Sequence, residues 1–423
     1  MPWVREPLGD ICRKGRGRIQ TGPFGSQLHE SDYSSDGTPV VMPADIADGK
    51  VAVTRIARVT ESHVERLKRH KLAKGDIVYG RRGDIGRQAL VRDENIGWLC
   101  GTGCLKISLG DSPLISEFLH RYLSTKAVVS WIEGQAVGAT MPNLNTGILE
   151  RVPVFYPEDK ATQKKIAAIL SAYDELIENN QRRIALLEKM AEEIYREWFV
   201  RLRFPGHEQA KFVKGVPEGW EVRTLSSFAS EIRKSVKKKN LSDDEKYIGL
   251  EHIPRHSIAI KEWATADTVD SDKLLFQEGD ILFCKIRPYL HKVALSHVSG
   301  ACSSDTIVIR PKSKIYEGYL LFTVFSNTFI ELATVASKGT KMPRADWGFL
   351  KKLELAVPNT QLLEAYQAQF DILFAQIVNL LRENEALKTS RDVLLPRLIS
   401  GKLSVENLDI QFPPGMEEAA YEI

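Results

Sequence analysis

Cysteine is scarce in this 423-residue chain, with Cys12, Cys100, Cys104, Cys284 and Cys302 the whole set. So small and odd a number argues against a disulfide framework and fits a reducing, cytoplasmic setting. Cys100 and Cys104 stand four apart, but no second Cys or His pair follows at zinc-site spacing. We read them as buried small residues, with no metal site. No apolar run approaches the roughly 18 residues of a membrane span. The opening MPWVREPLGD has no continuous apolar stretch of the kind that marks a signal peptide. Charge of one sign is also missing: 58 Lys and Arg against 55 Asp and Glu leave a net +3, so any basic binding surface is local.

Catalytic motifs are absent as well. No G-x-x-x-x-G-K-[ST] occurs, and no G-x-G-x-x-G opens a helix, so the glycine-rich loops do not read as nucleotide-phosphate cradles. There is no H-E-x-x-H, no Gly-x-Ser-x-Gly and no Asn-Pro-Pro-Tyr methyltransferase motif. Asp280 and Lys285 hint at a nuclease, but no second carboxylate stands at suitable spacing.

What the chain has instead is repetition. Gly75-Asp76, before the apolar run IVYG, recurs as Gly279-Asp280 before ILFC, 204 residues on (279 − 75). Met141-Pro142 recurs as Met342-Pro343, and Pro157 as Pro358, each 201 residues on (342 − 141, 358 − 157). Several blocks in one order at nearly constant offset mean duplication. Each copy has short apolar strands punctuated by turns and one supporting helix, SEFLHRYLSTKAVVSWIEGQ or EGYLLFTVFSNTFIELATVA. This predicts an α+β fold with a small helical part behind a curved sheet.

Each copy ends in a long segment of heptad character. In the first, the a/d stripe reads Ile166, Leu170, Tyr173, Ile177, Asn180, Ile184, Leu187, Ala191, Ile194 and Trp198. In the second it reads Tyr366, Phe370, Leu373, Ile377, Leu380, Asn384, Leu387, Arg391, Leu394 and Leu398. A stripe confined to a and d, with a buried Asn in each, suits helices that pack on each other; packing of each helix on its own β domain is the alternative. A second apolar set lies outside the seam: Leu176, Met190, Tyr195 and Phe199 in one helix, Leu363, Phe374, Leu381 and Leu395 in the other. These face the β domains or form a docking surface for another protein. The expected organisation is a β-rich domain over 1–157, a helix over 158–203, a second domain over 204–358, a second helix over 359–403, and a tail over 404–423.

Basic and polar groups concentrate in loops. The first copy offers Arg13, Lys14, Arg16, Arg18, Gln20, Ser26 and Gln27, then Arg81, Arg82 and Arg87, and later Thr140, Asn143 and Asn145. The second offers Arg233, Lys234, Lys237, Lys238 and Lys239, taken as the counterpart of the Arg13–Arg18 loop. It then has Lys285, Arg287, Tyr289 and His291, and finally Lys338, Thr340, Lys341 and Arg344. One charge run is usually solvated surface; basic loops at matching places in two copies point to nucleic acid. Glycine lets backbone approach a phosphate, and Arg, Gln and Asn read base edges.

These blocks resemble the specificity subunit of Type I restriction–modification systems, over nearly the full length. The segments that carry the resemblance are IAAILSAYDELIENNQRRIALLEKMAEEIYREWFVR, FDILFAQIVNLLRENEALKTSRDVLLPRLISGKL, TGPFGSQL and GATMPNLNTGILERVPVFYP. The resemblance implies two target-recognition domains, each reading half of a bipartite double-stranded DNA site. Between them, two antiparallel helices act as a ruler and dock two modification (methyltransferase) subunits. S-adenosylmethionine, ATP and Mg belong by this implication to the partners, including ATP-dependent restriction subunits. This chain itself would be non-catalytic and hold no cofactor. The copies depart from each other where MPRADW stands for MPNLN, leaving Asn143 and Asn145 without a direct match at Arg344 and Asp346. Two alternatives remain. A stand-alone nucleic-acid-modifying enzyme would turn over DNA without partners, and a non-DNA coiled-coil scaffold would show no salt-dependent affinity for duplex.

Overall fold

A computed structural model describes residues 2–53, 56–81, 85–135, 144–213, 215–339 and 341–412. The chain forms two compact units, residues 1–176 with 387–423, and residues 177–386. Both boundaries cut long helices. The first helix runs Lys160–Tyr195 and continues as a π-helical turn, Arg196–Val200; the second runs Thr360–Ile399. Each unit therefore holds one β domain and a segment of both helices.

In the first unit the main sheet has the antiparallel order Arg16–Thr21, Cys104–Gly110, Ile77–Gly80, Gln88–Leu90. The second unit repeats it as Ala229–Ile232, Thr306–Pro311, Ile281–Cys284, Val293–Leu295. Beside each lies a second sheet containing one parallel pair, Leu99 with Val40 in one unit and Tyr247 with Ala301 in the other. A two-stranded ribbon completes each domain, Trp3–Pro7 with Pro153–Pro157 and Glu221–Thr224 with Glu354–Val357.

The central strands read as unbroken apolar runs because both of their faces are covered. Ile77 and Tyr79 point into one core while Val78 points into another. Ile281 and Phe283 likewise separate from Leu282. The repeated Gly-Asp has a local cause. Gly75 and Gly279 hold φ of 81° and 85°, which a side chain would strain. The following aspartate closes the turn: Asp76 Oδ2 accepts from Ala73 N at 2.9 Å, and Asp280 Oδ2 from Gln277 N at 2.8 Å. Arg310 clamps the fully buried Asp280 in bidentate fashion at 2.6 and 2.8 Å. Asp280 is thus a turn-forming group with no access to a substrate.

The heptad stripe is the inner face of both helices. In the first unit Ile166 and Leu170 share a core with Leu398 and Ile399. In the second, Ile184 clusters with Ile377, Leu380 and Leu381, and the Tyr195 ring lies 6.4 Å from that of Tyr366. Numbers rise on one helix as they fall on the other, so within each unit the two segments run antiparallel. By the same register Asn180 and Asn384 share a layer of the second unit. Asn180 Nδ2 and Asn384 Oδ1, a donor and an acceptor, are each buried without a partner.

The helices pack on the β domains as well as on each other, and this corrects most of the expected docking face. Tyr195, Leu363 and Leu381 are buried, and Phe199 and Phe374 pack on the core of the second unit. Leu395 packs on the core of the first. Their apolar surface is spent inside the fold. Leu176 and Met190 remain exposed. Beyond the second helix, the stretch taken as a tail is anchored where it is described. Val405 is buried, and Lys165 Nζ donates to the carbonyls of Glu406 and Leu408 at 2.8 Å each.

Candidate nucleic-acid interface

At one end of each main sheet the same hydrogen-bond frame recurs. In the first unit Arg81 N donates to Gly103 O at 2.8 Å, and Leu144 N to Arg81 O at 3.0 Å. In the second, Lys285 N donates to Asp305 O at 3.0 Å, and Ala345 N to Lys285 O at 2.8 Å. Arg81 and Lys285 are therefore equivalent positions, each between the strand end and the segment after Met-Pro. One residue further, Asn145 and Asp346 are equivalent too. Each is the N-cap of a short helix, Asn145 Oδ1 accepting from Ile148 N at 2.9 Å and Asp346 Oδ1 from Gly348 N at 2.8 Å. The mismatch expected between Asn145 and Asp346 is thus a matched cap written with two different residues.

In the second unit this end gathers a basic cluster. Arg287 N bonds Pro343 O at 2.8 Å, and Ile286 and Arg344 form a β-bridge. Lys285 Nζ and Arg344 Nε both face Asp305, at 3.2 and 3.5 Å. Arg287, Tyr289, Lys338, Lys341 and Arg344 are exposed, with Lys338 Nζ 2.7 Å from Asp346. Arg287 and His291 both sit at left-handed φ (50° and 52°), one on each side of the turn Pro288–Leu290, which holds Tyr289 outward. That strain at non-glycine residues is typical of segments shaped for use. His291 does not join the cluster. It is buried, with its ring 4.4 Å from His256 and 4.6 Å from Phe325; burial and His256 lower its pKa.

In the first unit the matching end holds the Gly22–Gln27 loop. Gly22 N donates to Cys104 O at 2.9 Å, and a Cβ on Gly22 would fall 2.0 Å from Gly101 O, so only glycine fits. Ser26 is exposed, as is Phe24, which lies in the TGPFGSQL segment but is not among the candidate contacts. Gln27 Oε1 closes its own turn on Phe24 N at 3.2 Å, and Gln20 Nε2 is spent on Arg69 O at 2.6 Å. Arg66 and Arg69, absent from the sequence-based candidates, reach Gln27 at 3.1 and 3.5 Å. They come from a helical stretch far from any glycine loop, and no motif marks them. Arg81 Nε is held by Leu144 O at 3.0 Å, and Arg87 is exposed. Arg82, Thr140, Asn143 and Thr340 lie outside the described residues.

The structure separates two groups that the sequence joined. Arg18 pairs with Ser108 and Arg16 with Gly110, at the far end of the strand from Thr21. Five residues at about 3.3 Å each put Arg16 roughly 17 Å from Thr21, the residue before the Gly22 loop. Arg13 pairs there with Asp10, and Lys14 with Glu6. In the second unit Ile232 pairs with Val308, so Arg233 and Lys234 correspond to Thr21 and Gly22, and not to the Arg13–Arg18 loop. Arg233 pairs with Glu231 at 2.9 Å. Lys237, Lys238 and Lys239 follow the edge strand Ser235–Val236 of the other sheet, where Lys238 Nζ bonds Ala266 O.

All five cysteines are free and buried, and burial pushes the Cys100 and Cys302 thiols up to about 12. Among the described residues no group of three His, Cys, Asp or Glu is placed to hold a metal, and no single helix is long and apolar enough to cross a membrane.

A family model described as Type I restriction modification DNA specificity domain matches residues 2–189 and again 217–387. The chain belongs to this family. The two matches fall on the two copies seen in the sequence. The chain is 26% identical over 396 residues to the Type I restriction enzyme MjaIX specificity subunit of Methanocaldococcus jannaschii, covering 89% of each. It is 21% identical over 472 residues to the HindI specificity subunit of Haemophilus influenzae, covering 95% of this chain and 99% of that one. In fold it resembles the crystal structure of a Type I restriction–modification S subunit from M. genitalium. The TM-score there is 0.55 at 16% identity, over 94% of this chain and 96% of that one. The expected specificity-subunit fold, α+β with two specificity domains and long helices, is therefore the one adopted.

Proposed function

We propose that this chain reads a bipartite double-stranded DNA site for a Type I restriction–modification complex. Each unit contacts one half-site with the loop-bearing end of its main sheet. The observation that carries this reading is the repeated frame at Arg81 and Lys285. One backbone scaffold, built twice, presents different side chains: Arg81, Arg87, Ser26 and Gln27 in one copy, and Arg287, Tyr289, Lys341 and Arg344 in the other. Equal scaffolds with unequal side chains suit two half-sites of different sequence.

The chain would be non-catalytic on its own. The Asp280 that hints at a nuclease is spent on a turn and on Arg310. Methyl transfer and cleavage would fall to partner subunits in the cytoplasm, which would supply S-adenosylmethionine, ATP and Mg. Two modification subunits would dock on the helices, where apolar groups are still exposed: Leu186, Met190 and Ile372 in the second unit, Leu176 and Val393 in the first. The uninterrupted helices would set the distance between half-sites.

The test is duplex binding by the purified full chain across a salt series. We expect log Kd to rise linearly with log salt, with a slope close to the number of phosphates neutralised. Binding that does not change with salt would mean that phosphates are not neutralised, and no binding even with the modification subunits present would favour a scaffold without DNA.

A further inference from the structure

The second unit has a cleft of about 270 Å³ whose lining includes Lys246, Lys261, Trp263, His297, Arg382 and Glu385. It lies away from the basic end described above. Its Ser299 Oγ accepts from Glu278 N at 3.2 Å in the turn that precedes strand Ile281–Cys284, whereas Lys285 follows that strand. Four residues at about 3.3 Å each separate the two ends by roughly 10 Å or more.

Three cations line this cleft without an ion-pair partner among the described residues. Lys246 Nζ sits 4.6 Å over the Trp263 ring, and neither Lys261 nor Arg382 forms a salt bridge. The one carboxylate in the lining belongs to Glu385. His297 lines the same cleft, 6% exposed, its ring 5.8 Å from Trp263 and its Nδ1 buried without a hydrogen-bond partner. Buried polar atoms are nearly always satisfied, so an orphan in the wall of a cationic cleft points to a missing acceptor or donor.

We propose that this cleft is a phosphate-binding site. A phosphate group offers several acceptor oxygens and up to two negative charges, and Arg382 can meet it in bidentate fashion while the lysines act as point charges. The phosphate belongs either to a free phosphorylated molecule or to the backbone of DNA bound by the same chain.

The state of His297 makes the site readable. Burial, then Arg382 and Lys246, lower its pKa to about 4, so the ring is neutral near pH 7. Lys261 and Glu385 are the other charged groups in the cleft wall. A phosphate there offsets the cationic field and so raises the pKa of His297.

The experiment is NMR titration of His297 in the full-length chain, with inorganic phosphate as the probe against chloride at equal ionic strength. We expect a phosphate-dependent, saturable upward displacement of the His297 titration. Arg382→Ala and Lys246→Ala should each weaken phosphate about tenfold, as losing a charged hydrogen bond does, with unfolding midpoints unchanged. The absence of any phosphate-specific displacement overturns the proposal, and so does undiminished phosphate affinity in the two variants. Adding duplex DNA separates the sources. If DNA displaces phosphate, the site takes the DNA backbone; if both bind together, it takes a free phosphorylated molecule.

Discussion

Asp174 on the first long helix accepts from Arg391 Nη1 on the second at 2.6 Å, and its other carboxylate oxygen pairs with Arg121 of the β domain. One carboxylate thus ties three elements of the first unit together. The three side chains are only 14 to 29% exposed. Ser171 Oγ adds a further acceptor for Arg121 at 3.2 Å.

Removing that carboxylate leaves two neighbouring guanidiniums, Arg121 with only Ser171 and Arg391 with only the more exposed Asp392. Asp174→Ala should destabilise the first unit by about 3 kcal/mol, at the lower end for breaking a buried pair because the site keeps some solvent. Urea denaturation checks it. A loss under about 1 kcal/mol would place this pair among ordinary surface bridges.

The second unit uses a different tie. Glu188 Oε1 accepts from Ser257 Oγ, Ile258 N and Ala259 N at 2.7, 2.9 and 2.8 Å. Burial raises its carboxyl above the ordinary value, opposed by these three hydrogen bonds and by Lys261. A folded pKa above the unfolded one means that stability falls as pH rises through the raised value. Glu188→Gln keeps the acceptor and does not titrate. It should therefore gain on the parent protein above that pH and lose the advantage in acid. Glu188→Ala, which strands all three donors, should cost about 2–3 kcal/mol in acid and less above the raised pKa, where the parent itself has lost stability. Denaturation at several pH values separates these outcomes; a constant gap between parent and Gln variant would contradict the burial argument.

The parts of this fold legible in the sequence were those with a period or a fixed local geometry. The a/d stripe follows from the roughly 3.6 residues per turn of an α-helix, and the Gly-Asp turns from a left-handed glycine. Both survive divergence between copies because the backbone demands them. Strand register escaped. Arg13–Arg18 and Arg233–Lys239 look alike as composition, but the pairing of Ser108 with Arg18 and of Arg310 with Ser230 shifts one against the other. The cap pair Asn145 and Asp346 escaped for the opposite reason: one hydrogen-bonding role is open to several residues, so the role persisted where identity did not. Arg66 and Arg69 reach the candidate interface only through tertiary packing. The outer apolar residues of the helices were ambiguous because a surface that faces a β domain and one that faces a partner have the same composition.

The register makes a clear division among the basic residues. Arg287→Ala, Lys341→Ala and Arg344→Ala combined should weaken duplex binding strongly and flatten the salt slope by about one for each phosphate no longer neutralised. Arg13→Ala, Lys14→Ala and Arg16→Ala combined should change it much less, since Arg16 begins the strand at its far end and Arg13 and Lys14 close the helix before it. Fluorescence anisotropy at several salt concentrations measures both. Equal effects would mean that DNA is not confined to the loop-bearing end.

The most direct test of the central claim is selection from a randomised duplex pool by the full chain assembled with its modification subunits. The account predicts a split motif: two specified halves of different sequence, separated by a spacer of fixed length and free composition. Arg287→Ala with Arg344→Ala should alter or relax one half and leave the other intact. A single uninterrupted motif, or a variant that relaxes both halves equally, would contradict it.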